Sequence, residues 1–339
     1  MNWQKIEIKN DLGVTVEAQA PVIISASRST DIPAFYADWF VERWQKGYIQ
    51  WKNPFNGVPL YVSFNKARAV VFWSKNPEPM IKHLPFLKKY VKNFYFQFTL
   101  NDYENEGYEG KLPSVNERIN TFIELSNQIG KDHIIWRFDP MILTDTINVN
   151  TLLKRIKRIG DELQNYTKKL VFSFADISIY AKVASNLKKE KIVYQEFTIE
   201  TMHDFAAGLQ ELNKSWKLEI GTCAEKIPLE QYGIKDNKCV DDDLMIKLFS
   251  HDQKLMDFLG VKVHQTDLFN PPTVERINKN YKDKGQRELC GCTFSKDIGQ
   301  YNTCPHECVY CYANTSKEIA LKNFKYHKSN PGVDTIIGM

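Results

Sequence analysis

Between residues 21 and 285, apolar runs of strand length alternate with stretches of helical periodicity. That alternation restricts the possible folds more than any other property of the chain. Val22-Ile-Ile-Ser-Ala-Ser27 reads as a buried strand. It runs through Arg28-Ser-Thr-Asp31 into a helix with Pro33 in its first turn, continuing through Trp44. Further strands are expected at 48–52, 69–73, 93–99, 133–138, 170–174 and 217–221. Helix-like segments fall at 78–90, 114–129, 149–164 and 200–213. Strands separated by helices pair in parallel, because the chain must cross back before the next strand can start at the same end. Seven such units suit a closed or nearly closed (β/α) barrel, TIM-like and full or partial, better than an open sheet covered on both faces.

Residues 1–20 read as a separate hairpin, two short strands at 3–9 and 14–18 around Asn10-Asp-Leu-Gly13. The barrel then occupies 21–285, and a cysteine-rich segment, 286–339, completes it. Residues 226–285 are less regular. Helical periodicity from Val240 to Phe258 opens on Asp241-Asp-Asp243, Pro271-Pro272 breaks the chain, and Tyr281 to Arg287 is polar. Thr315 and Glu318 have the spacing of a capping box for a helix through Phe324.

Polar side chains gather just after the strands: Arg28, Asp31, Lys75, Asn76, Asp139, Asp176 and Glu225. The C-terminal ends of barrel strands are where such folds build active sites. Helix caps favour the same residue types, so any one of these has a local explanation. Their repetition favours a site for the set. Arg28, Asp31, Lys75, Arg137, Asp139 and Asp176 are the expected substrate and cofactor contacts.

Composition excludes several classes. Hydrophobic residues are 43% and charged residues 25% of 339, the range of a globular protein able to bury a core. No N-terminal signal pattern is visible, and no apolar run reaches the ~18 residues of a membrane span. The expected compartment is the cytoplasm, without a membrane partner. A net charge of +4, with pairs such as Lys168-Lys169 and Lys188-Lys189 scattered along the chain, reads as solvated helix faces rather than a nucleic-acid patch. Seven cysteines in that compartment read as ligands or redox centres before disulfides.

Three of them form Cys304-Pro-His-Glu-Cys308-Val-Tyr-Cys311, a C-x3-C-x2-C loop. Three thiolates at this spacing fit one cuboidal 4Fe–4S cluster and leave its fourth iron open to a small molecule. The loop resembles the signature of the radical S-adenosylmethionine superfamily, C-x3-C-x-aromatic-C, with Tyr310 in the aromatic position. The resemblance implies that the three cysteines ligate the cluster and that S-adenosylmethionine binds the open iron. Reductive cleavage then gives a 5′-deoxyadenosyl radical. It also implies that Tyr310 lies near the adenine, and that a donor such as flavodoxin or ferredoxin supplies the electron. Cys308 to Tyr312 looks like the spore photoproduct lyase branch, which hints at nucleic-acid lesion repair. The run from Cys290 to Asn314 resembles an uncharacterised bacterial domain family of unknown function, over most of the chain.

In the superfamily this motif usually stands early, whereas here it is near the C-terminus. Ser295 to Ile298 is expected to be a short strand before the loop, closing the barrel beside the first strand in a permuted order. Ser25, Ser27 and Arg28 would then lie next to the loop and hold the cofactor's amino-acid moiety, with Tyr310 and Tyr312 as further cofactor contacts. His306 is expected to pack over the cluster or to hydrogen-bond near it.

Four cysteines remain: Cys223, Cys239, Cys290 and Cys292. Four thiolates close the shell of a second 4Fe–4S cluster or of a structural zinc. Cys290-Gly-Cys292 is tighter than the usual zinc knuckle, which favours the cluster. Cys223 or Cys239 as a small buried side chain is the plainer reading. The expected function is hydrogen abstraction from an unknown substrate, whether small molecule, peptide or nucleic acid. The alternative is a non-catalytic zinc or iron–sulfur protein that binds nucleic acid.

Overall fold

The structure is a computed structural model that describes residues 2–54, 56–225, 227–264, 273–277 and 281–337. Eight parallel strands form its main sheet. Their order from edge to edge is Ile234–Asp236, Glu219–Thr222, Lys169–Phe174, Ile134–Met141, Phe94–Thr99, Ala69–Ser74, Ile23–Ala26 and Lys296–Asp297. The fold is therefore mixed α/β, with the helices expected between successive strands. The terminal strand pairs with the first, as expected: Lys296 lies opposite Ile24 and Asp297 opposite Ser25. The two edge strands are not paired with each other among the described residues. Beyond their ends, Thr293 N donates to Val240 O at 2.9 Å.

Strand alternation sends successive side chains to opposite faces. Ile24, Val70, Phe72, Phe96, Trp136, Phe138, Leu170 and Phe172 share one large core with the crossover helices. Helices Val115–Ile129 and Val149–Leu163 supply Phe122, Leu125, Ile156 and Ile159 to it. The opposite face changes character along the strands. Its N-terminal half carries Ile23, Ala69, Val71, Ile135 and Val171. Met245, Phe249, Leu255 and Met256 cover that half, from helices Asp242–Phe249 and Gln253–Leu259. Arg68, just before one strand, makes a two-pronged ion pair with Asp252, which caps the second of these helices. Further up the same face come Arg137, Asp139 and Ser173, which line a cavity. Apolar packing thus fills one end of this face and leaves the C-terminal end for polar groups.

Several sequence expectations are corrected. Tyr48–Lys52 does not join the main sheet. It pairs with Pro59–Ser63 and, through it, with the N-terminal hairpin Lys5–Lys9/Thr15–Gln19 in a separate four-stranded sheet. Ile234–Asp236 takes its place in the main sheet, a three-residue strand too short to show a period. The helix expected through Trp44 is two, Ile32–Phe35 and Ala37–Lys46. The last helix, Lys317–Ser329, is capped by Ser316, whose Oγ accepts from Ile319 N, and not by Thr315. Pro271-Pro272 lies outside the described residues.

Candidate active site and a second thiol cluster

A cavity of about 640 Å³ opens at the C-terminal ends of the strands. All seven cysteines line it. They form two groups, held by different parts of the chain.

The loop Cys304 to Cys311 is fixed on several sides. Cys308 forms an antiparallel bridge with Glu109, and Val309 N donates to Tyr108 O at 2.9 Å. Tyr36 OH donates to Thr303 O, Asn314 Nδ2 to Cys304 O and Asn186 Nδ2 to Cys311 O. Glu307 takes a left-handed backbone, φ 60°, which turns the chain between the first two cysteines. Burial pushes all three thiols above their ordinary pKa, and their mutual repulsion adds to this for Cys304 and Cys308. A multivalent cation is the natural means of holding three such groups together as thiolates.

Beneath the loop lies a buried ionic network. Lys75 Nζ is 2.6 Å from Glu109 Oε1 and donates to Tyr310 OH at 2.9 Å. Tyr310 OH donates to Glu109, and Asn101 Nδ2 donates to Tyr310 OH at 3.1 Å. Arg118 pairs with Glu109 from the other side at 3.4 Å. Burial opposes ionisation of Glu109, yet Lys75 and Arg118 together hold it at about 2. Lys75 and Tyr310 therefore brace the loop as well as lining the cavity.

Asp31 is committed in the same way. One carboxylate oxygen accepts from Ala34 N and Ser74 Oγ, the other from Lys75 N and His306 Nε2 at 2.8 Å. Four donors saturate a carboxylate, so Asp31, which also lines the cavity, acts as a positioning group for Lys75 and His306. His306 packs edge-on against Phe35. Ser25 is the clearest correction. It is fully buried and does not line the cavity, because its hydroxyl donates to Asp297 Oδ2 across the strand pair. Asp297 also accepts from Arg28 N at 2.8 Å and Gly299 N at 2.9 Å. Ser27 lines the cavity, and its Oγ accepts from Ser29 N. A Cβ on Gly299 would stand 1.7 Å from Ser27 Oγ, so only glycine allows this approach. Tyr312 is half-exposed at the cavity wall and donates to Arg28 O at 3.0 Å.

Cys223, Cys239, Cys290 and Cys292 come together from three separate segments. Cys223 Sγ is 3.2 Å from Cys239 Sγ, and Cys239 N donates to Cys292 Sγ at 3.2 Å. Asn237 Nδ2 donates to Cys223 Sγ and Cys239 Sγ, and Arg137 Nη1 to Cys239 Sγ at 2.9 Å. The hydrogen bond from Cys239 draws Cys223 down to about 7 against the effect of burial, with Arg137 helping. Arg137 Nη2 also pairs with Asp139 at 2.5 Å, and Ser173 donates to the same carboxylate. Arg28 and Arg137 both lie over the Trp73 ring, at 5.2 and 5.3 Å. Arg28 Nη2 and Trp73 Nε1 are buried without a protein partner. Asp176 also lines the cavity. It sits near Glu225, which burial and the Asp176 charge push up to about 7.

Residues 23–313 match the family model described as a domain of unknown function, DUF1848. The chain belongs to that family. No curated relative matches it. Among solved structures, a putative alpha-L-fucosidase from Bacteroides thetaiotaomicron is 14% identical, covering 57% of this chain and 72% of that one at a TM-score of 0.23. A likeness that weak carries no argument for this DUF1848 protein. No described helix is long and apolar enough to cross a membrane.

The sequence missed Glu109, Asn101, Arg118, Asn237 and Asp297. Glu109 sits in an irregular loop with no motif, and its partners Lys75, Tyr310 and Cys308 come from elsewhere in the chain. Asn237, two residues before Cys239, and Asp297, inside the expected strand 295–298, stood next to residues that had been singled out.

Proposed function

We propose that this protein is a radical S-adenosylmethionine enzyme whose C-terminal loop, Cys304, Cys308 and Cys311, holds a 4Fe–4S cluster. The observation that carries this reading is the shared wall: the three loop thiols line one cavity with Arg28, Lys75, Asp139 and Tyr310. At about 640 Å³ that cavity is in the size range of cofactor sites. The donor set fits the group: three thiols at C-x3-C-x2-C spacing line one wall of the cavity and match the three-thiolate shell of a cluster with one open iron.

When bound, the cluster and S-adenosylmethionine supply a 5′-deoxyadenosyl radical after one-electron reduction by a flavodoxin- or ferredoxin-type donor. The chain's own part is positioning and exclusion. Arg28, with one unpartnered buried N–H, is the candidate anchor for the methionyl carboxylate. Tyr310, held by Lys75 and Glu109, gives a fixed aromatic wall for the adenine. Asp139 and Asp176 line the remaining space, where a substrate would contact them. Closure of the eight-stranded sheet into a barrel around this cavity, and a cytoplasmic setting that protects an oxidisable centre, belong to the same proposal.

The test is product analysis. Protein reconstituted anaerobically with iron and sulfide, then given dithionite and S-adenosylmethionine, is expected to form 5′-deoxyadenosine. A colourless zinc protein that forms none would refute the reading.

A further inference from the structure

We infer that Cys223, Cys239, Cys290 and Cys292 hold a second iron–sulfur cluster, separate from that of the C-terminal loop and ligated by all four thiolates. This goes beyond the proposed activity and does not depend on it, because none of the four residues belongs to the loop.

Convergence is the first argument. Cys223 follows strand Glu219–Thr222, Cys239 follows strand Ile234–Asp236, and Cys290 and Cys292 precede strand Lys296–Asp297. These positions are far apart in sequence, yet all four line one cavity. Cys239 lies 3.2 Å from Cys223 through sulfur and meets Cys292 through its backbone N–H. Nothing in helix or strand packing requires four thiols to meet, and four soft anions are the complete shell of an all-thiolate cluster.

The surroundings of the sulfurs are the second argument. Asn237 Nδ2, Arg137 Nη1 and Cys239 N all donate to sulfur. Hydrogen bonds to cluster sulfurs are a principal means by which proteins tune such centres. The charge also fits. A 4Fe–4S core of charge about +2 with four thiolates is net about −2. Arg137 and Arg28 are the cations beside the site, and Arg28 stands within electrostatic reach of Cys292 and Cys239. Asp139 satisfies Arg137 in part, and Asp297 stands beside Arg28.

The thiols are also in side-chain contact in series, Cys223 with Cys239, Cys239 with Cys292 and Cys292 with Cys290. A shell of four thiolates leaves no iron open, so S-adenosylmethionine is not expected to perturb this centre.

Iron and acid-labile sulfide per chain decide the matter. They are counted after anaerobic reconstitution in the wild type, in the triple variant Cys304→Ala/Cys308→Ala/Cys311→Ala, and in Cys290→Ser/Cys292→Ser. The wild type is expected to hold about eight irons, and the triple variant to keep about four with matching sulfide and a low-temperature EPR signal on reduction. The serine variant is expected to lose about half the iron. A triple variant that folds, by circular dichroism, but keeps no iron overturns the inference. So does one that keeps a single zinc without sulfide. If the triple variant does not fold, a serine variant with wild-type iron content overturns it equally. Four irons that all disappear with the loop cysteines would remove this centre and leave the proposed function standing. Four irons that all survive their loss would do the reverse.

Discussion

The two thiol groups face one cavity but are built in opposite ways. Cys304, Cys308 and Cys311 lie within eight residues, and their loop is pinned from outside by Glu109, Tyr36, Asn186 and Asn314. Cys223, Cys239, Cys290 and Cys292 are spread over 70 positions and are assembled by the sheet itself, at strand ends near both of its edges. A local loop can keep one ligand position free because its geometry is its own. A set gathered from several strands is only as good as the fold that gathers it. On the proposed reading, the difference is a division of labour: an open, reactive group of three, and a closed group of four tied to the integrity of the sheet.

The largest expected effect tests that division. Replacing Cys304, Cys308 and Cys311 by Ala should reduce 5′-deoxyadenosine formation to background while the far-ultraviolet circular dichroism stays that of the wild type. Comparable loss of activity and of fold would merge the two groups into one structural unit.

Next comes Glu109→Gln. It leaves Lys75 and Arg118 as buried cations facing a neutral amide. Removing one partner of a buried ion pair costs about 3–5 kcal/mol. Urea denaturation should show a loss of that order, and iron at the loop should fall while iron at the four-thiol group stays. Equal loss from both groups would show that the network braces the whole cavity.

The loop group also carries its own pH signature. His327 lies 4.7 Å from the Tyr36 ring, and Tyr36 holds the residue before Cys304. Burial, and then the neighbouring Lys328 charge, depress His327 to about 4. Its folded pKa is below the unfolded value of about 6.5, so the unfolded chain takes up the proton first. The neutral ring therefore contributes stability above pH ~6.5, and this is lost as the pH falls towards 4. With partial solvent access the loss is about 1–2 kcal/mol. Urea midpoints between pH 7 and 4 should fall more steeply in the wild type than in His327→Gln, and parallel curves would count against this.

The smallest effect lies on the other side. Asn237→Ala removes donors to Cys223 and Cys239. It should cost about 1 kcal/mol and shift the reduction potential of the four-thiol centre without altering 5′-deoxyadenosine yield in a dithionite assay. A shift in the loop centre alone would reverse the assignment.

These contrasts also explain what could be read from the chain. The loop was legible because three ligands and an aromatic fall within one short window. The parallel α/β architecture was legible because long apolar runs and amphipathic helices alternate. Tyr48–Lys52 misled because an apolar run shows that a strand is buried but not which sheet buries it. Ile234–Asp236 was too short to register. The bracing roles of Asp31 and Ser25 were not legible, because a polar side chain after a strand looks the same whether it faces a ligand or braces the backbone. Only the partners distinguish them: Ser74, Lys75 and His306 for Asp31, and Asp297 for Ser25. Glu109 was invisible as a brace, since its contacts with Cys308 and Tyr310 span some 200 residues.

The most direct test of the open site is the low-temperature EPR spectrum of the dithionite-reduced protein before and after addition of S-adenosylmethionine. A cluster with a vacant iron should change its signal on addition, and that change should be absent from the Cys304/Cys308/Cys311 triple variant. A spectrum indifferent to S-adenosylmethionine, in protein with full iron content, would contradict it.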